Sequence, residues 1–352
     1  MPRVTLQTLA DDLGVSRATV SNAFSRPDQL SARLRDRILA RAQQLGFSGP
    51  DPMARGLRRG RVGAVGVLLD QGLSYAFSDP ATVVYLDGLT QELQAGGFGL
   101  LLHAGSGAAD DVQLVRSAAV DAWVVASLPR GHPAVRAAQA QRRPMVVFDQ
   151  PDLPGVPTVR IDDAAATALA TRHLLGLGHR RLGVLTMALQ ADGYQGVADT
   201  ARQRRATYTT MDRRLAGVRR ETTAAGLSWA DVVVVECATN TVDTGALATW
   251  ELLDRPERPG AVVAFSDQLA TGALLAAREL GIAVPADLSV VGFDDSPPAA
   301  TADPPLTTVA QPLRERGKAA GALVCALVEG RDVPTPEAFG VDLVVRESTA
   351  PA

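Results

Sequence analysis

The 352-residue sequence has no run of apolar residues long enough to cross a bilayer and no signal-peptide pattern ahead of its first helix. The first absence excludes an integral helical membrane protein, and the second predicts a cytoplasmic one. Its two cysteines, Cys237 and Cys325, are too few for a disulfide framework and are read as small apolar fillers in a reducing compartment. The four histidines, His103, His132, His173 and His179, lack metal-ligand spacing, and no zinc motif, phosphate loop or activated nucleophile is present. These absences predict a protein that is not an enzyme and that carries no metal and no cofactor. The adjacent carboxylates Asp162-Asp163 and Asp294-Asp295 are accordingly read as structural or ligand-binding groups at strand ends, not as an acid–base pair.

At 46% hydrophobic and 21% charged, the chain has the composition of a globular protein with room for two or three cored domains. Its net charge of -3 hides an asymmetry: residues 1–61 carry eleven arginines against five aspartates, a net of +6, which leaves -9 for the remainder. A basic head on an acidic body is the distribution expected when only the head meets phosphate.

Within that head, Thr5 is placed to cap a first helix whose Leu6, Leu9, Ala10 and Leu13 share one face. Gly14 turns the chain, and Ser16 opens a second helix with Val15, Val20 and Phe24 inward. Arg17, Ala18, Ser21 and Asn22 lie on its other face, too polar for a core helix. This is the pattern of a helix-turn-helix with a recognition helix. Ser31 opens a third helix from Ala32 to about Leu45, ended by Gly46. The stretch Gly49-Pro50-Asp51-Pro52-Met53-Ala54-Arg55-Gly56-Leu57 follows, with Asp51 and Pro52 placed as N-cap and first residue of a short helix.

From Val62 onward the composition changes. Apolar strands are predicted at 62–69, 99–103, 122–126, 145–148, 182–186, 231–236, 261–265 and 288–293, and a last one at 341–346. Helical stretches at 83–95, 164–175 and 268–279 lie between them. Continuous apolar strands alternating with helices imply parallel sheets covered on both faces, and their number implies two doubly wound lobes with a cleft between them.

The recognition features in sequence are Leu177-Gly178-His179-Arg180-Arg181-Leu182-Gly183, Arg214-Leu215-Ala216-Gly217, Phe265-Ser266-Asp267-Gln268-Leu269-Ala270, Val290-Val291-Gly292-Phe293-Asp294-Asp295 and the Pro-Pro-Leu-Thr-Thr run at 304–308. Together with the head they make the whole chain closely resemble the lactose-repressor (LacI/GalR) family of bacterial transcription regulators. The resemblance implies an all-α head at 1–48, a hinge at 49–61 and a periplasmic-binding-protein-like core at 62–352. Its N-lobe is expected at 62–161 plus 293–320, and its C-lobe at 162–292 plus 321–346.

It also implies roles for particular residues. Arg17, Ala18 and Asn22 would read base edges in the major groove: Arg pairs with guanine, Asn with adenine, and Ala meets a thymine methyl. Thr5, Ser16, Thr19, Ser21 and Ser25 would hold phosphates, with helix capping as the alternative reading for the serines. Leu57 would wedge into the minor groove. Asp51, where the family usually has Asn, and Gly56, which weakens a helix by about 1 kcal/mol relative to Ala, depart from the pattern.

Effector contacts fall on Asp149, Arg214, Ser266 and Asp294, Ser266 standing where Asn is frequent. Tyr75, Phe77 and Ser78 follow the first strand and are placed either to line the cleft or, the preferred reading, in a packed loop, and His179 is read as a structural residue at a helix-to-strand turn. Residues 188–213 are left open as either a cover over the cleft or a surface loop. The expected partners are double-stranded operator DNA, a sugar-like small molecule and a second copy of the chain, with no membrane. No heptad-bearing tail follows the last strand, which predicts a homodimer and not a tail-assembled tetramer. A transporter's solute-binding protein and a sugar-processing enzyme are the rival readings; the first lacks a signal peptide and carries a superfluous head, the second lacks a catalytic constellation.

Overall fold

Local capping chemistry builds the first of the two units into which the chain divides, Met1–Gly63 and Ala64–Ala352. The structure, a computed structural model, describes residues 4–47, 49, 61–105, 109–334 and 336–352. Helix α1 (Leu6–Leu13) starts where the Thr5 hydroxyl accepts from the Thr8 N–H at 3.2 Å, and it stops at Gly14, whose φ of 66° suits a residue without a Cβ. Ser16 likewise accepts from Thr19 N–H at 3.0 Å to open α2 (Arg17–Ser25), and Ser31 opens α3 (Ala32–Gln44). Leu9, Val20 and Ile38, one from each helix, are fully buried and close a small core with Leu6, Ala10, Ala23 and Ala42. A bidentate Arg41–Asp12 pair ties α3 to α1 at its rim.

The second unit holds two lobes, each a sheet of parallel strands sandwiched by helices. In the first lobe the order of elements is β1 (Ala64–Leu69), α4 (Tyr75–Ser78), α5 (Pro80–Ala95), β2 (Gly99–Ala104), α6 (Ala109–Ser117), β3 (Ala122–Ala126), α7 (Pro133–Ala140), β4 (Met145–Phe148) and β5 (Thr158–Val159). Its strands lie in the order β2-β1-β3-β4-β5, all parallel. The chain then crosses to α8 (Asp163–Gly176), β6 (Leu182–Thr186), β7 (Gly196–Val197), α9 (Thr200–Gln203), α10 (Thr209–Ala224), β8 (Val233–Glu236), α11 (Val242–Leu253), β9 (Ala261–Ala264), α12 (Asp267–Glu279), β10 (Ser289–Asp294) and β11 (Thr307–Ala310). Helix α13 (Leu313–Val328) and strand β12 (Asp342–Val344) complete the chain. The second sheet runs β12-β11-β10-β9-β6-β8-β7, parallel except for β12 and β7 at its two edges.

The lobes share the C-terminal third of the chain differently from the sequence expectation. The sequence expectation puts residues 293–320 in the first lobe, yet β11 pairs with β10 and β12 in the second sheet. Only from α13 does the chain return to the first lobe, where Ala320, Val324 and Cys325 join the core of β1, β3, β4 and α5. Residues 321–346, assigned to the second lobe, are therefore also divided, with α13 on one side and β12 on the other. The reason is packing that no local pattern encodes: Gly88 and Gly317 let α5 and α13 approach until a Cβ on either would collide with the other helix's backbone. The crossings lie side by side, since Ile161 on the first bridges Phe339 on the last. Among the described residues, no helix is long and apolar enough to cross a membrane.

Candidate functional site

Two surfaces carry the residues that the sequence singles out. On the head, Arg17 and Ala18 at the start of α2 are exposed, while Thr19, Ser21, Asn22 and Ser25 are half-buried. Thr5 and Ser16 are caps in the structure, and Ser25 donates to the Ser21 carbonyl at 2.8 Å. The caps accept from backbone N–H groups, and each lies beside a second hydroxyl, Thr5 with Thr8 at 3.0 Å and Ser16 with Thr19 at 2.8 Å. Asn22 gives one amide hydrogen to Gln29 across 3.3 Å, a long bond that a stronger acceptor can displace. Asp51, Gly56 and Leu57 lie outside the described residues.

The second surface is a cleft of about 700 Å³ between the two lobes, at the carboxyl ends of their strands. Ser127 after β3, Asp149 after β4 and Asp294 ending β10 line it, and all have positive φ: 62°, 65° and 115°. Side chains resist that region, so the surrounding structure holds these backbones in place; such strain concentrates where side chains must be aimed.

Three of the four expected effector contacts line this cleft: Asp149, Arg214 and Asp294. Arg214 on α10 is buried, donating to Asp163 at 2.9 Å and to the Phe265 carbonyl, with its guanidinium 3.6 Å above the Phe293 ring. Asp163, whose carboxyl pKa is raised by burial, is thus the arginine's charge partner. Asp149 pairs with Arg316, a wholly buried arginine on α13 stacked over Phe148. Arg316 also donates to Gln311, which in turn donates to Asp294 at 2.6 Å. One polar chain, Asp149–Arg316–Gln311–Asp294, therefore joins a strand end of each lobe. Burial, reinforced by the charge of Asp267, pushes the Asp294 carboxyl well above the usual carboxylate range.

Ser266 lies elsewhere. It is buried, caps α12 by accepting from Leu269 N–H at 3.1 Å, and donates to the Asn240 side chain. Asn240 lines the cleft in its stead and donates to the Tyr75 hydroxyl of the opposite lobe at 2.8 Å. Tyr75 therefore takes the cleft-lining alternative and not the preferred packed-loop reading, while Phe77 points to solvent. A second bond across the cleft runs from the Tyr208 hydroxyl to Asp70 at 2.8 Å; burial raises the Asp70 carboxyl to about 6.

The 188–213 segment covers the cleft: Ala188, Gln190, Ala191, Gly193, Tyr208 and Thr210 line it. The fully buried Glu236 fixes that cover by accepting from Leu189 N–H at 2.7 Å and pairing with Arg202, which also holds Asp192. No local signal in the sequence announces Glu236 or Arg316, since their charge partners, Arg202 and Asp149, lie 34 and 167 positions away. His179 bonds Ser289 and the Ala350 carbonyl, both at 3.0 Å, at a helix-to-strand turn. Among the described residues, no cluster of three or more His, Cys, Asp or Glu side chains is placed to hold a metal.

Comparison with known proteins places these two surfaces in context. Residues 171–349 match the model of a periplasmic binding protein-like domain. An HTH-type transcriptional regulator of Mycobacterium tuberculosis is 42% identical over 99% of this chain and 98% of its own length. Among solved structures, a LacI-family transcriptional regulator from Corynebacterium glutamicum is 34% identical and superposes with a TM-score of 0.77, covering 100% of both chains. The transcriptional regulator CelR, solved as a cellobiose complex, is 28% identical with a TM-score of 0.71, over 98% of this chain and 100% of its own.

Proposed function

The chain belongs to the LacI/GalR family of helix-turn-helix transcriptional regulators, and from that premise we propose that it is a cytoplasmic repressor that binds a pseudo-palindromic operator as a homodimer. The observation that carries the DNA-reading role is the exposed amino-terminal edge of α2. There Arg17 and Ala18 face solvent while the opposite side of the helix, Val20 and Ala23, is sealed into the head's core. A helix so anchored offers guanidinium and methyl groups to a major groove at one end, with Asn22 a turn further on. The hydroxyls of Thr5, Ser16 and Ser25 then serve twice, as caps or backbone partners and as phosphate contacts, and those of Thr19 and Ser21 serve as phosphate contacts. The hinge, with Leu57 as minor-groove wedge, belongs to the same reading.

A small effector occupies the interlobe cleft and contacts Asp149, Arg214 and Asp294, with Asn240 in the place expected of Ser266. That a relative, CelR, was solved as a cellobiose complex supports a sugar-like ligand. Control follows by linkage: a ligand changes operator affinity only by as much as its own affinity differs between the two lobe arrangements. An enzyme reading gains no support from Arg214 and Asp149, which are tied into ion pairs with Asp163 and Arg316.

The test is selection of sheared genomic DNA on the purified protein, with and without a metabolite extract, followed by sequencing. Enrichment of a short palindrome in either condition is the expected result. Enrichment of nothing in both would overturn the repressor reading.

A further inference from the structure

Four consecutive residues of the second lobe, Thr207 to Thr210 at the start of α10, each bond to the first lobe. The Thr207 carbonyl accepts from Arg130 N–H at 2.9 Å, and the Tyr208 hydroxyl donates to Asp70 at 2.8 Å. The Thr209 hydroxyl and the Thr210 N–H both donate to the Gln150 side-chain oxygen, at 3.1 and 2.8 Å. Asp70, Arg130 and Gln150 stand in the loops after β1, β3 and β4, so the four residues meet the ends of three neighbouring strands. Every bond is direct, and none needs a third molecule to bridge the lobes.

On its own lobe the segment hangs from Leu189. The Leu189 carbonyl accepts from Thr207 N–H at 2.7 Å and from Tyr208 N–H at 3.3 Å. Its N–H is held in turn by the fully buried Glu236 at the end of β8. A continuous path therefore runs from the core of the second sheet, through Leu189 and Thr207, to the first lobe. Tyr208, Thr209, Thr210 and Gln150 are all buried. A bond broken there without access of water leaves its groups desolvated and unpaired, so the contacts are given up together, when the lobes part. Asn240 with Tyr75, and the solvent-facing pair Arg213–Asp152, add further links between the lobes.

We propose that residues 207–210 are a clasp: they hold the two lobes together by protein–protein bonds, and the cleft opens when those bonds are released, with each lobe still folded. The clasp concerns the lobes alone and stands whatever occupies the cleft.

The experiment is hydrogen exchange on the full chain, resolved to single amides. Arg130 is an exposed residue whose N–H is hidden by its bond to Thr207, so its exchange reports the parting of the lobes. The native chain should protect this amide. Tyr208→Phe should speed its exchange by about threefold to tenfold, the worth of one hydrogen bond, and Thr209→Val should act in the same direction. Asp70→Asn, which keeps an acceptor for Tyr208, should not speed it. Leu89→Ala, a cavity in the first lobe's core, should speed exchange at Val124 in β3 and leave Arg130 unchanged. Thermal melts confirm that the variants fold. An Arg130 amide that exchanges as in an unfolded chain, or that both Tyr208→Phe and Thr209→Val leave unchanged, would overturn the clasp. Equal acceleration of Arg130 and Val124 by Leu89→Ala would overturn it as well, because the lobes would then part only by unfolding.

Discussion

Replacing Asp70 by Asn should stabilise the protein increasingly as the pH rises from about 4 to about 6, and by a constant amount above that. Asp70 stands at the end of β1 and accepts the Tyr208 hydroxyl across the cleft. Burial raises its carboxyl from the usual 3.8 to about 6, with the Tyr208 bond pulling the other way. A folded-state pKa above the unfolded one means that the native protein binds the proton more tightly. The protonated form therefore contributes stability that is complete below pH 4 and is lost as the pH rises through 6. A rise of this size corresponds to about 3 kcal/mol, and nearer 2 kcal/mol once the solvent in the cleft is allowed for. Asparagine keeps an acceptor for Tyr208 and never ionises. The assay is urea unfolding of both proteins at intervals from pH 4 to 8. The stability difference should start near zero, grow in favour of Asp70→Asn between pH 4 and 6, and level off above. A flat difference, or a variant that is less stable at pH 8 than the native protein, would falsify the assignment of a desolvated carboxyl to this position.

Further outcomes follow from other parts of the molecule. Asn22→Ala should relax specificity at one operator position at a cost of about 1–3 kcal/mol against the preferred base; an unchanged binding-site profile would remove Asn22 from base reading. Leu57→Ala should weaken specific operator binding far more than binding to random DNA, measured by competition, and equal losses would dismiss the wedge. Asp294→Ala should abolish the effector's influence on operator binding, and a retained response would move the ligand site elsewhere. Arg316→Met should destabilise the fold by about 3–5 kcal/mol because it strands Asp149. Combined with Asp149→Asn, it should cost clearly less than the two changes added together; strict additivity in denaturation would show that the pair does not interact.

What the sequence made legible was the local part. Thr5, Ser16 and Ser31 sit one residue before their helices and act within three residues, and Gly14 bends the chain where it stands. The strands were likewise readable from their apolar runs, apart from the two-residue β5 and β7 and the threonine-bearing β11. Asp149, Arg214 and Asp294 were reachable because motif and strand end coincide. The rest depended on meetings between distant residues. Arg316 reads as a solvated arginine near a helix start until Asp149, 167 positions earlier, comes beside it. Ser266 could be placed at the right helix start, yet only the fold shows that it holds Asn240 and that Asn240 faces Tyr75. The lobe exchange at α13 was hidden for the same reason, because its glycines match a groove made by α5.

That exchange bears on how the second unit could ever be taken apart. A cut after Val159 would not release two working halves. The earlier fragment would lack α13, whose Ala320, Val324 and Cys325 complete its core, and the later fragment would carry that helix with its apolar side bared. The lobes are therefore spatial subdivisions and not modules of inheritance: neither can be shuffled, expressed or evolved alone as an uninterrupted stretch of gene. Insertions and recombination breakpoints that survive should respect the whole of Ala64–Ala352, whereas the boundary at Gly63 leaves each side with a core of its own.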